Sequence, residues 1–256
     1  MRIATWNMKQ AVAPKKKLDE LWAWMHSAIA PDIAVLTEAK VPQSGPPDGW
    51  DAIWTPEGIG PRRRWGTVIA ARGVGITPIT HVRRKQLEHH WPGTVQACEV
   101  RRDGKLWGAV IGIYGMVYDA YGDKVGHGGE STRIILREVA PVIRAYDRVV
   151  VAGDLNLWPA YLPRDLDRLG LIDLIEETAA TRSPLARCSG CLEGNRCGHM
   201  WTHRNGNSPN AAVQQIDYIF ANRKAARDVR SVTGGIADFP DAWDVSDHAP
   251  VVADFV

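Results

Sequence analysis

The chain offers no run of about 18 apolar residues, the length a membrane-spanning helix needs, and its first residues, MRIATWN, carry no apolar signal core. These absences leave no expectation of a membrane span or a secretory leader and point to a soluble cytoplasmic protein. Charge of one sign is scarce too: 31 basic against 29 acidic residues leave +2, well short of the basic excess that marks many nucleic-acid binders. Any anionic ligand must therefore be held by local clusters. Linkers, low-complexity tracts and internal repeats are missing as well, so the simplest organisation is one domain over residues 1–256.

What is present is ordinary globular composition, 45% hydrophobic and 23% charged, enough to bury a large core. Leu18, Leu21, Trp22, Met25 and Ile29 recur at spacings of three and four, which predicts an amphipathic helix over Lys15 to Ile29. A second helix is predicted over Thr132 to Tyr146, with Ile135, Val139, Val142, Ile143 and Tyr146 on one face and Pro141 as a kink or interruption. Short apolar or β-branched runs predict strands at Arg2 to Trp6, Ile33 to Leu36, Thr67 to Ala71, Leu106 to Tyr114, Val149 to Ala152, Ile216 to Phe220 and Pro250 to Val256. The class is α/β, with helices covering sheets.

Polar residues of catalytic type gather at the ends of these strands. Asn7 follows the first, Thr37 and Glu38 the second, Asp154 and Asn156 the run VVVA, and Ser246-Asp247-His248 precede the last. If strand geometry persists past Gly153, Asp154 and Asn156 project to the same side. Carboxylates with few competing thiolates or imidazoles suit a hard cation such as Mg²⁺ or Mn²⁺, which neutralises a phosphoryl group and orients a water. Asparagine amides hold phosphate oxygens as charge develops, and His248 titrates near neutrality.

The ordered set TWN (Thr5 to Asn7), LTE (Leu36 to Glu38), GDLN (Gly153 to Asn156), IDYIF (Ile216 to Phe220) and SDH (Ser246 to His248) resembles the endonuclease/exonuclease/phosphatase superfamily, the deoxyribonuclease I-like proteins. The resemblance covers essentially the whole chain. It implies a four-layer α/β sandwich of two packed, mainly antiparallel β-sheets flanked by helices, with a cleft at one end. It further implies Glu38 as principal metal ligand, Asp247 as a second ligand or close support, and Asn7 beside the metal. Asp154 resembles the carboxylate that orients or deprotonates the attacking water, Asn156 the amide on the scissile phosphate, and His248 the histidine that stabilises phosphoryl charge or handles the water proton. Asp217 resembles the carboxylate that fixes the histidine tautomer, and Tyr114 a tyrosine facing the phosphate. Lys9 departs from the pattern, standing where abasic-site members have a metal-binding aspartate.

The activity implied is divalent-metal-dependent hydrolysis of a phosphodiester, in nucleic acid or a nucleotide first, by in-line attack of an activated water. The alternatives are a phosphatase or phospholipase-type hydrolase acting on a small phosphorylated metabolite or lipid headgroup, and a non-catalytic zinc-stabilised binding protein. Arg62, Arg63 and Arg64 form a phosphate-binding candidate, with Trp50, Trp54 and Trp65 as neighbours able to stack on bases. His127 is a weaker candidate for reaching the cleft.

Cysteine is sparse, yet three of the four residues fall in a Cys/His-rich loop at 187–203. Cys188, Cys191, Cys197 and His199 match the ligand set of a structural Zn²⁺ site, with His203 as the alternative fourth ligand, and thiols or a disulfide as the alternatives to a metal. Bound zinc would stiffen the loop before IDYIF without joining the chemistry. Cys98, in a strand-like segment, reads as a small buried hydrophobe.

Overall fold

The computed structural model describes residues 1–9, 15–55, 59, 64–117, 128–162, 164–183, 185–186, 188–189, 191, 196–206, 208 and 210–256. Arg62, Arg63 and His127 lie outside them, as does part of the 187–203 loop.

Two six-stranded sheets form the centre. Their strands, in chain order, are β1 (Arg2–Asn7), β2 (Ile33–Ala39), β3 (Trp50–Trp54), β4 (Gly66–Arg72), β5 (Gly75–Pro78), β6 (Val95–Arg102), β7 (Lys105–Tyr114), β8 (Val149–Asp154), β9 (Leu171–Asp173), β10 (Asp217–Asn222), β11 (Val229–Gly234) and β12 (Val251–Phe255). The first sheet runs β11-β12-β1-β2-β4-β3 and the second β9-β10-β8-β7-β6-β5. Each sheet has one parallel pair at its middle, β1 with β2 and β8 with β7; the other neighbours are antiparallel.

Alternation of side chains along β1 explains the layering. Ile3 joins Ile33, Val35 and Ile69 in the core between the sheets. Ala4 and Trp6 face the other way, onto Leu18, Leu21, Trp22, Met25 and Ile29 of the first helix. That helix, α1 (Lys15–Trp24), passes into a wider π turn at Met25–Ile29, so the predicted span holds. The second, α2 (Gly128–Ala145), lays Ile135, Leu136, Val139, Val142 and Ile143 against the second sheet. The predicted interruption at Pro141 is overturned: the helix runs through it. Pro141 removes one turn's donor, but the apolar stripe on either side of it is buried in the same core, which holds the element together.

Cys98 is fully buried on β6, as expected of a small hydrophobe. Among the described residues no helix is long and apolar enough to cross a membrane.

Candidate active site

The two parallel pairs end at the same rim of the sandwich. In the first sheet Asn7 is level with Thr37; in the second Asp154 is level with Tyr114 on one side and Asp217 on the other. Period two places Asn7 on the same side as Ile3 and Thr5, toward the inter-sheet space, where its Nδ2 donates to Asp154 Oδ2 at 2.9 Å. This bond joins the two sheets at the rim.

Glu38 does not follow the alternation. Ala34 and Leu36 face the α1 layer, so an unbroken strand would send Glu38 there too. A register irregularity between Leu36 and Ala39 and a left-handed backbone at Glu38, φ 45°, turn it inward instead, as bulges beside active sites do. Its Oε1 then accepts from the Tyr114 hydroxyl of the opposite sheet at 3.1 Å. Burial pushes the Glu38 carboxyl up, against the opposing pull of His248 and of hydrogen bonds from Asn7 and Tyr114.

Strand β8 also bends at its end. A Cβ at Gly153 would lie 1.8 Å from the Ile113 carbonyl oxygen, so no side chain fits there. Asn156 has φ 49°, and the expectation that strand geometry carries Asp154 and Asn156 to one face is overturned. A turn does it: Asp154 Oδ1 accepts from the Asn156 backbone N at 2.8 Å. Asn156 Nδ2 donates to the Gly115 carbonyl at 2.9 Å and approaches Asp154 Oδ2 at 3.3 Å.

His248 stands across from this carboxylate. Its Nδ1 is 2.8 Å from Asp217 Oδ2 and its Nε2 is 4.0 Å from Asp154 Oδ2. Its backbone is pinned, with Trp6 Nε1 donating to the His248 carbonyl at 2.9 Å and the His248 N donating to Ser246 Oγ at 3.1 Å. Burial alone would lower the imidazole, but the charges of Asp217, Asp154 and Asp247 raise it to about 10. Burial and the facing Asp217 raise the Asp154 carboxyl to about 8, against the opposing charge of His248. Asp154, Asp217 and His248 approach one another as closely as metal ligands do. The short Nδ1 contact identifies a hydrogen-bonded His248–Asp217 pair, with Asp154 on the far side of the imidazole ring.

Asp247 lies at the edge of the group, 2.7 Å from Lys9 Nζ. Burial would raise its carboxyl, but the charge of His248 and the pairing with Lys9 hold it below its ordinary value. The lysine thus places its own cation where the departure from the family pattern was noted.

Of the other expected residues, Arg64 is exposed. The stacking expectation fails for Trp50 and Trp65, which are only 5% and 3% exposed: Trp50 packs into the α1 core and Trp65 edge-on against Tyr114 at 5.3 Å. Trp54 is half-buried.

Several residues at the site carry no sequence motif. His203 lies with its ring 4.4 Å from that of His248; burial and the neighbouring imidazolium lower it to about 3, so it stays neutral. Its Nδ1 meets Gln214 Nε2 at 2.8 Å, and Gln214 Oε1 accepts from Trp158 Nε1 at 2.6 Å. Trp158 and Tyr161 stack with centroids 6.0 Å apart and, with Arg133 and Asn156, line a hollow of about 580 Å³ beside the array. A second hollow adjoins it through Arg133 and Tyr161 and adds Arg137, Arg164 and Arg168. An aromatic step and four arginines therefore lead away from Asn156.

The sequence profile described as "Endonuclease/Exonuclease/phosphatase family" matches residues 4–248. No curated protein matches the chain in sequence. Among solved structures, the chain is similar to a 3′ phosphatase, NExo, from Neisseria bound to product DNA hairpin, at 19% identity and TM-score 0.68, covering 100% of this chain and 99% of that one. An AP endonuclease from Archaeoglobus fulgidus is similar at 17% identity and TM-score 0.61, with coverage of 100% and 99%. Truncated TDP2 from Caenorhabditis elegans follows at 15% identity and TM-score 0.64, with coverage of 99% and 96%. These likenesses show the fold.

Proposed function

The chain belongs to the Endonuclease/Exonuclease/phosphatase family, whose profile spans residues 4–248, and from that premise we propose that it is a divalent-metal-dependent phosphodiesterase that hydrolyses nucleic acid by in-line attack of water. One observation carries the reading: the buried array of Asp154, His248 and Asp217 opens beside Asn7, Asn156 and Glu38 at the rim shared by both sheets.

The donor set fits a hard cation. Glu38 offers a buried carboxylate whose pKa burial pushes up and a nearby positive ion would lower, and Asn7 and Asp247 add oxygen donors. Bound there, Mg²⁺ or Mn²⁺ supplies charge neutralisation at the phosphoryl oxygens and lowers the pKa of water. Glu38 is the principal ligand in this reading, because Asp247 shares its charge with Lys9. Tyr114 holds Glu38 in place through its hydroxyl.

The protein's own groups divide the remaining work. Asp154, fixed by the Asn7 amide at 2.9 Å and set 4.0 Å from His248 Nε2, takes the proton of the attacking water. Asp217 holds Nδ1 of His248, which leaves Nε2–H directed at the cleft to stabilise charge on the phosphoryl group. Asn156 supports Asp154 and lines the hollow in which the scissile group would sit.

Nucleic acid is favoured over a small phosphoester by the shape of the approach. Trp158 and Tyr161 offer a stacked aromatic step for a base, and Arg133, Arg137, Arg164 and Arg168 offer successive cations for backbone phosphates. The solved DNA hairpin complex of the Neisseria 3′ phosphatase supports the same substrate class. The test is a panel of DNA, RNA, nucleotides, inositol phosphates and phospholipids, each with Mg²⁺, Mn²⁺ or EDTA. Metal-dependent cleavage of DNA or RNA is expected. Turnover confined to small phosphoesters or lipids would replace nuclease with phosphatase or phospholipase, and activity undiminished in EDTA would overturn the metal's role.

A further inference from the structure

Some 200 residues into the chain, a second cluster of soft ligands forms outside the catalytic rim. Cys188, Cys191, Cys197 and His199 bring three sulfurs and one ring nitrogen to within 4.8 Å of one another. Cys188 Sγ and Cys191 Sγ are 3.6 Å apart, and each lies 3.3 Å from His199 Nδ1. A tetrahedral zinc with Zn–S of about 2.3 Å and Zn–N of about 2.0 Å has S···S edges of about 3.8 Å and S···N edges of about 3.5 Å. The three edges among Cys188, Cys191 and His199 therefore lie within a few tenths of an ångström of those values, and the Cys197 sulfur lies within 4.8 Å of each.

Local structure builds this arrangement. The Cys191 backbone N donates to the Cys188 carbonyl at 3.2 Å, a turn that points both sulfurs the same way, and the Ser189 N ties that turn to the Val213 carbonyl at 2.8 Å. Cys197 is delivered from the other side by its pairing with Leu185. Both Cys188 and Cys191 are buried. Burying weakly donating thiols against an imidazole gains little by itself, because S–H is a poor hydrogen-bond donor; four soft ligands converging on one point have a clear physical reason when a cation sits among them. His203 stands apart from the four, its Nδ1 meeting Gln214 and its ring 4.4 Å from that of His248.

The chain leaving His199 explains what such an ion would do. Met200 N donates to Gln215 Oε1 at 2.9 Å. Thr202 Oγ1 accepts from the backbone N of Ile216 and of Asp217 at 3.1 and 3.2 Å, while the Thr202 carbonyl accepts from Ala249 N at 2.7 Å. Arg204 N donates to the Asp247 carbonyl at 2.9 Å. Residues 200–204 thus clamp together the segment that carries Asp217 and the segment that carries His248.

We propose that Cys188, Cys191, Cys197 and His199 bind one structural Zn²⁺ ion that anchors the Met200–Arg204 clamp and so fixes the spacing of Asp217 and His248. On binding, the three thiols release their protons to solvent and ligate as thiolates. The ion takes no part in the reaction.

The full chain, purified under reducing conditions without chelator or added metal, is assayed for zinc by elemental analysis and, after exchange, for Co²⁺ absorption. About one zinc per chain is expected, together with the thiolate-to-Co²⁺ charge transfer and visible bands of a tetrahedral site. Cys197→Ser and His199→Ala should lower zinc content severalfold or more, and His203→Ala should retain it. Removing the ion with a mercurial thiol reagent should lower Tm as well as kcat. Wild-type protein with neither zinc nor the cobalt signature, or with a Cys188–Cys191 disulfide in its place, overturns the site. Loss of zinc in His203→Ala with retention in His199→Ala overturns the ligand set, and unchanged Tm after metal release overturns the clamp. Zinc content, the cobalt spectrum and Tm are independent of whether nucleic acid is the substrate.

Discussion

Nδ1 of His248 lies 2.8 Å from Oδ2 of Asp217, on a strand that pairs Asp217 directly with Asp154. Two carboxylates facing each other across paired strands repel, and the imidazolium set against both offsets that repulsion. Asp217→Asn should therefore do more than loosen one hydrogen bond: it releases the tautomer of His248 and removes half of its charge compensation. A fall in kcat of about 10²-fold or more is expected with KM little changed. Steady-state kinetics beside a circular-dichroism spectrum checks it, and a near-normal kcat would remove Asp217 from the array.

Asp154→Asn and His248→Ala should each lower kcat by about 10²-fold or more with secondary structure intact. Their combination should cost far less than the product of the two, because the groups act on one proton inventory. Strict multiplicativity would show that they work independently.

Without metal, stability should fall as pH rises. His248 is raised from 6.5 to about 10 and Asp154 from 3.8 to about 8, so the folded chain binds protons more tightly than the unfolded one. The His248 contribution is full below its unfolded value and is lost as pH climbs through the folded one; Asp154 behaves likewise at lower pH. At about 1.4 kcal/mol per pKa unit, a loss on the order of a few kcal/mol is expected between pH 6.5 and 9.5. Urea midpoints in EDTA measure it, with His248→Ala as the flatter control. A wild-type profile as flat as that control would contradict the charged imidazole.

Lys9 and Glu38 should move metal affinity in opposite directions. Glu38→Gln removes the principal carboxylate and should weaken Mn²⁺ binding about tenfold or more. Lys9→Met frees Asp247 from its 2.7 Å ion pair and should tighten it. Titration calorimetry reads both, and tighter binding in Glu38→Gln would discard the assignment.

The arginines beside Tyr161 should act on binding, through charge. Arg133→Ala and Arg164→Ala should raise KM for DNA and each reduce the slope of log affinity against log salt by about one, uniformly across sequences. An unchanged slope would place the nucleic acid on another face.

The sandwich was legible because its central strands are continuous apolar runs punctuated by polar residues, and VVVAGDLN is buried through Leu155 before it reaches solvent at Asn156. Glu38 was legible as a motif letter alone. Strict alternation assigns it to the helix-facing side, and the bulge after Leu36 that reverses it has no signature in LTEAK. Strand β6 was hidden in part by the charges of Glu99, Arg101 and Arg102. The arginine track was illegible for a different reason: Arg133 and Arg137 come from α2, Arg168 from the separate short helix Asp165–Leu169 and Arg164 from the residue that precedes it, so their neighbourhood exists only after packing. Trp65 reads as a surface neighbour of three arginines, yet its ring is consumed by Tyr114.

The pairing of β1 with β12 carries one more consequence. It sets the strand that ends at Asn7 beside the segment that follows His248, with the amino group of Met1 bonding the carbonyl of Phe255 at 2.7 Å, so fraying of this one seam would part the amide from the imidazole.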